Sequence, residues 1–167
     1  VAVLADTVYE TGNETVKISL SNATNATISD ATGILTITDD DNAPTVTLTS
    51  SASSVAENGS ALTLTATLSN ATTANVSVGI ATSGTGTEGT DYATVSDITI
   101  SAGATTGTAS FTPTDDTTYE GNETGIIVID TVNGGGASEN GNQLVTLTIT
   151  ENESAPTVTL TSSASSI

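Results

Sequence analysis

The chain has 167 residues and sets 19 acidic side chains against one base, Lys17, for a net charge of -18 at pH 7. A field of that sign repels nucleic-acid phosphates and anionic membrane surfaces, which excludes both as partners, and no apolar run approaches membrane-spanning length. With no His and no Cys, the common catalytic bases, nucleophiles and disulfide frameworks are missing, so no enzyme is expected.

Thr is the commonest residue and Val, Ile, Leu and Ala carry most of the apolar content, while Met is absent and Lys appears once. Branched side chains suit a pleated surface better than a helix, so the chain reads as all-β. In chain order, residues 1–4 form a short apolar run and residues 15–20 alternate with period two. Residues 33–38 make a third strand, closed by Asp39-Asp40-Asp41. Strands that alternate in this way bury one face and wet the other. Further alternating runs cover 45–49, 61–69, 75–81, 91–95, 97–100, 106–112 and 145–149. The stretch 124–132 is almost continuously apolar, as a central strand would be, and Gly134-Gly135-Gly136 breaks it. Short strands at this spacing, separated by Gly and Asn/Asp turns, predict an antiparallel two-sheet β-sandwich.

The run Ala43-Pro44-Thr45-Val46-Thr47-Leu48-Thr49-Ser50-Ser51-Ala52-Ser53-Ser54 returns from Ala155 to Ser166, a shift of 112 positions (155 minus 43). A period of that length marks a repeated domain. Two other stretches recur in register. Asp6-Thr7-Val8-Tyr9-Glu10 matches Asp116-Thr117-Thr118-Tyr119-Glu120, and Leu35-Thr36-Ile37-Thr38 matches Leu147-Thr148-Ile149-Thr150. The division that follows is residues 1–42 as the last part of one repeat, 43–154 as a complete repeat, and 155–167 as the first strand of the next. Ala-Pro directly after each acidic cluster holds the joint extended.

Gly89-Thr90-Asp91-Tyr92, then Ile98-Thr99-Ile100-Ser101-Ala102-Gly103-Ala104-Thr105, then Asp115-Asp116-Thr117-Thr118-Tyr119-Glu120-Gly121-Asn122-Glu123-Thr124 resemble the Calx-beta domain. A last strand running into Asp39-Asp40-Asp41 is similar too. The resemblance implies immunoglobulin-like sandwich repeats, as found in sodium–calcium exchangers, integrin subunits and tandem arrays of bacterial surface proteins. It also implies calcium held by acidic loops at one end of the sandwich. By position the ligands would be Glu57, Asp91, Asp115 and Asp116, with Asp39, Asp40 and Asp41 in the preceding repeat. The complete repeat departs from the family pattern in closing on Glu151-Asn152-Glu153, and in carrying Ser83, Ala93 and Ser96 where calcium-binding members tend to have acids. Calcium takes six to eight oxygen ligands, which converging carboxylates supply.

Asn-x-Ser/Thr sequons begin at Asn13, Asn22, Asn25, Asn58, Asn70, Asn75, Asn122 and Asn152, which are glycosylation acceptors if the chain is secreted. The expected role is a non-catalytic, extracellular structural repeat that builds a stalk or filament of the surface-adhesin type. Its partner would be itself, through neighbouring repeats of one chain or through strands exchanged between copies. The alternative is a calcium-binding module whose acidic loops stiffen the array or bind a ligand.

Overall fold

The computed structural model describes residues 2–163. Its strands are β1 (Val8–Tyr9), β2 (Glu14–Ser19), β3 (Thr32–Ile37), β4 (Thr45–Ser50), β5 (Ser54–Ala56), β6 (Leu62–Leu68) and β7 (Ala71–Thr72). They continue as β8 (Val76–Gly84), β9 (Ile98–Ile100), β10 (Thr106–Phe111), β11 (Glu123–Asn133), β12 (Ser138–Glu139) and β13 (Leu144–Thr150). One sheet runs β10-β6-β4-β12 and the other β5-β13-β11-β8-β9. Neighbours are antiparallel except at two edges, where the short strands β12 and β5 add parallel to β4 and β13. The chain is therefore an all-β sandwich.

The alternation in the sequence decides what lies between the sheets. Val46 and Leu48 of β4, Leu62, Leu64, Ala66 and Leu68 of β6, and Ala109 and Phe111 of β10 point inward from one layer. Val76 and Val78 of β8, Ile98 and Ile100 of β9, Ile127 and Ile129 of β11, and Leu147 and Ile149 of β13 meet them from the other. The Tyr92 ring stacks on Phe111, with centroids 4.7 Å apart, and closes the end of the core nearest the acidic loops. The ring can lie flat there because Gly125 faces Phe111, where a Cβ would come within 3.0 Å of the ring. The buried hydrophobic side chains all fall between Val46 and Ile149, so the 43–154 unit carries a core of its own.

Residues 2–42 lie outside that core. β2 and β3 form a separate hairpin, and its register repeats that of β11 and β13. Glu14 pairs with Ile37 and Val16 with Leu35, as Glu123 pairs with Ile149 and Gly125 with Leu147. Among the described residues no sheet opposes the hairpin, so Leu35, whose counterpart Leu147 is fully buried, remains partly exposed.

Three expected strands are corrected. The run 1–4 makes no strand over its described residues 2–4, where Leu4 is 88% exposed, because nothing opposes it. Residues 91–95 form a loop in which Tyr92 makes only isolated bridges to Glu88 and Pro113. The expected opening strand of 155–167 is exposed coil over 155–163, with Val158 99% and Leu160 98% exposed. The same six residues form β4 at 45–50 because β6 and β12 pair with them there. Val1 and residues 164–167 lie outside the described residues.

Candidate metal centre

The acidic loops converge at one end of the sandwich, where Glu57, Glu123, Glu151 and Glu153 arrive from strand ends and Asp91 and Glu120 from loops. Glu57 follows β5 directly, and its N–H donates to the Thr150 carbonyl at the end of β13 (3.0 Å). That bond places it beside the chain leaving β13, which carries Glu151 and Glu153. Carboxylate oxygens of Glu57, Glu151 and Glu153 all lie within 4.8 Å of one another. Glu151 is fixed by four backbone N–H donors, from Glu120 (2.6 Å), Gly121 (2.9 Å), Asn152 (2.9 Å) and Glu153 (3.0 Å). Those donors hold its carboxyl well below the usual range, so it stays ionised.

Glu57 is in the opposite position. It is only 5% exposed, and its Oε2 has no hydrogen-bond partner. Burial, then the charge of Glu151 and a hydrogen bond with its carboxyl, push the Glu57 carboxyl up to about 7, with smaller contributions from Glu153 and Asp116. Oε2 of Glu153 is likewise buried and unpartnered, and hydrogen bonding with Glu151 raises its carboxyl. A buried carboxylate oxygen without a donor costs free energy unless something positive faces it. The single base of the chain, Lys17, lies on β2, outside this unit.

A second trio adjoins the first. Oxygens of Asp91, Glu120 and Glu123 also lie within 4.8 Å of one another. Asp91 is buried and accepts the Thr87 N–H (2.6 Å), while Glu123 begins β11. Burial and then Asp91 raise the carboxyls of both Glu120 and Glu123, with Glu151 adding to each. The two trios therefore feel one another's charge.

The sequence-based candidates sort as follows. Glu57 and Asp91 are brought together with partners, one in each trio. Asp115 and Asp116 are exposed and belong to neither. Asp115 accepts the Asn152 Nδ2–H (3.1 Å) and Asp116 the Thr118 N–H (2.5 Å). Both still act on the first trio by charge. Oxygens of Asp39, Asp40 and Asp41 also lie within 4.8 Å of one another, at the joint between residues 2–42 and the sandwich. There the Asp39 carboxylate accepts the Glu10 (2.9 Å) and Asp41 (3.2 Å) N–H groups, and no buried orphan oxygen accompanies them. Glu120 and Glu123 were not among the sequence-based ligands, although the pattern Glu-Gly-Asn-Glu after two Asp residues carries them.

The sequons divide as well. Asn75 and Asn122 accept the backbone N–H of Ala102 and Glu151, Asn70 donates to the Asn42 carbonyl, and Asn152 donates to Asp115. Asn13, Asn22, Asn25 and Asn58 are exposed, and Asn22 and Asn25 both adopt left-handed backbone with φ 57°.

Oxygens that share one calcium ion at about 2.4 Å can be at most about 4.8 Å apart. Both trios satisfy that limit with oxygen ligands alone. Glu57 and Glu153 each also bury an oxygen without a hydrogen-bond donor, so the donor set of the first trio fits a hard cation.

The fold has counterparts among solved structures. The chain is similar in fold to the apo-form Calx CBD1 domain, at 18% identity and a TM-score of 0.54, over 65% of this chain and 98% of that one. It is also similar to CBD12 from CALX1.2 (19% identity, TM-score 0.52) and to the calcium binding domain CBD12 of CALX1.1 (20%, 0.52). In both of these the match spans 59% of this chain and 41% of the other. A search of curated proteins returns no match. Residues 39–154 match the Calx-beta domain, and the chain belongs to that family.

Proposed function

We propose that the 43–154 unit is a calcium-binding module whose acidic loops close around the ion. The observation that carries this reading is the Glu57 carboxylate, which buries an Oε2 without a donor and has an oxygen within 4.8 Å of oxygens of Glu151 and Glu153. A carboxyl pushed up to about 7 is strained when ionised, and a divalent cation relieves the strain by replacing repulsion with coordination. Glu57, Glu151 and Glu153 would supply the buried ligands, with Asp91, Glu120 and Glu123 beside them. Asp39, Asp40 and Asp41 are a weaker second candidate, since their oxygens are better solvated. The calcium-binding description of a structure similar in fold supports the same reading. The role is binding and not catalysis, in keeping with a chain that has no His or Cys.

Thermal melting in EDTA, in calcium and in magnesium tests the proposal. Calcium at about 100-fold over its dissociation constant should add about 2.7 kcal/mol of stability, and magnesium less, because it demands a tighter octahedron. Identical melting curves in EDTA and in calcium would end the calcium reading.

A structural role as an extracellular stalk or filament of tandem repeats is the second reading. The hairpin β2–β3 supports it by repeating the register of β11–β13, as a neighbouring repeat would. The two readings are compatible, because calcium at the joint-facing end would stiffen such a rod.

A further inference from the structure

Residues 2–42 touch the 43–154 unit through a small docking contact. β1 pairs parallel with β7, Val8 against Ala71 and Tyr9 against Thr72, and the Thr73 N–H donates to the Tyr9 carbonyl (3.2 Å). The Tyr9 ring lies on Gly136 of the turn Gly134-Gly135-Gly136. A Cβ on Gly136 would clash with the edge of the ring, and one on Gly135 would strike the buried Thr72 that pairs with Tyr9. All three glycines also have positive φ, so the turn is a socket shaped by the absence of side chains.

The plug that fills it occurs twice. Tyr119 occupies the place of Tyr9 in the repeated stretch, and the hydrogen bonds that frame the two are the same. The Val8 N–H donates to Asp6 Oδ1 (2.8 Å) and the Thr118 N–H to Asp116 Oδ1 (2.5 Å). The Glu10 N–H donates to Asp39 and the Glu120 N–H to Glu151. The Asp41 N–H donates to Asp39 and the Glu153 N–H to Glu151. Tyr119 is thus presented in the geometry that seats Tyr9, yet it is 46% exposed.

We infer that Thr118-Tyr119 is a docking plug for the β7 and Gly134–Gly136 socket of a second copy of the 43–154 unit. Plug and socket sit at different places on one unit, so the contact is head-to-tail and does not close on itself. It uses the backbone edge of β7, the Tyr ring and the glycine turn, and the loop that carries Tyr119 is held by the Asp116 and Glu151 carboxylates.

In the 167-residue chain Tyr9 already fills the socket, whereas the Tyr119 side chain is exposed. Removing residues 1–42 frees the socket, and the remaining unit keeps every buried hydrophobic residue of the core. Two chains then test the contact in a defined pair. The intact 167-residue chain offers a plug only, and the 43–167 chain with Tyr119→Ala offers a socket only. Analytical ultracentrifugation of the mixture should give a 1:1 complex, with a dissociation constant between about 10 μM and 1 mM, as suits a contact normally held within one chain. Putting Tyr119→Ala into the intact chain as well should weaken it at least about tenfold. The 43–167 chain with Tyr119 intact should form concentration-dependent oligomers. Circular dichroism melting shows whether each chain is folded. No complex between folded partners at about 1 mM, or one that is indifferent to Tyr119→Ala, would overturn the inference.

Discussion

Replacing Glu57 by Gln keeps the shape of the side chain and removes the charge that the site holds at a cost. The carboxyl is raised from 4.5 to about 7, and each unit corresponds to about 1.36 kcal/mol. The ionised group therefore destabilises the ion-free domain by at most about 3 kcal/mol at pH 8, and by about 1–3 kcal/mol once local water is allowed for. In EDTA at pH 8, Glu57→Gln should raise the melting temperature by about 3–10 °C for a unit of this size. In calcium the order should reverse, because the variant loses a buried ligand and with it most of the stabilisation that the ion gives the parent. Differential scanning calorimetry of both proteins under both conditions reads the four values. A variant that melts lower than the parent in EDTA, or that keeps the parent's full calcium shift, would refute the reasoning.

Three further outcomes follow from the same geometry. Because the folded-state value of Glu57 lies above the unfolded one, its contribution to stability is fully present below pH 4.5 and is lost as pH rises through about 7. The ion-free domain should accordingly melt higher at pH 5 than at pH 8, and calcium should flatten or invert that trend. Glu120→Gln alters an exposed position, so it should leave the melting temperature in EDTA close to that of the parent. The same substitution should weaken calcium binding measurably by titration. Phe111→Ala removes the fully buried ring on which Tyr92 stacks and should cost about 3–5 kcal/mol. Chemical denaturation would show that loss, together with weaker calcium binding, since Tyr92 anchors the loop that carries Asp91.

Most of the sandwich was legible because alternation is a local property. β4, β6, β8 and β10 each show their buried face in a single run of residues. The failures come where a strand needs a partner distant in sequence. Thr45-Val46-Thr47-Leu48-Thr49-Ser50 is a strand and Thr157-Val158-Thr159-Leu160-Thr161-Ser162 is coil, although the two are identical, because only the first has β6 beside it. The short strands β1, β5, β7 and β12 were invisible for the same reason, since parallel edge pairing leaves no periodic trace in two or three residues.

The site was legible in part. Glu57 and Asp91 could be named from the family resemblance, yet nothing local shows that Glu57 is buried or that one of its oxygens lacks a donor. That follows from β5 lying parallel on β13, which brings Glu57 to Glu151 across more than ninety residues of sequence. Asp115 and Asp116 were named by position from the family resemblance, and Glu120 and Glu123 were not. The fold spends the Asp116 carboxylate on its own turn and directs the later pair toward Asp91.

The central claim is that the buried carboxylates await a cation. Isothermal titration of calcium into the chelator-treated 167-residue chain at pH 7.5, beside the same titration of Glu57→Gln, tests it most directly. The account predicts saturable binding to the parent with protons released, since Glu57 must ionise fully as the ion enters, and binding to the variant weakened by at least about tenfold with fewer protons released. No heat of binding in the parent, or equal binding and equal proton release in both, would contradict it.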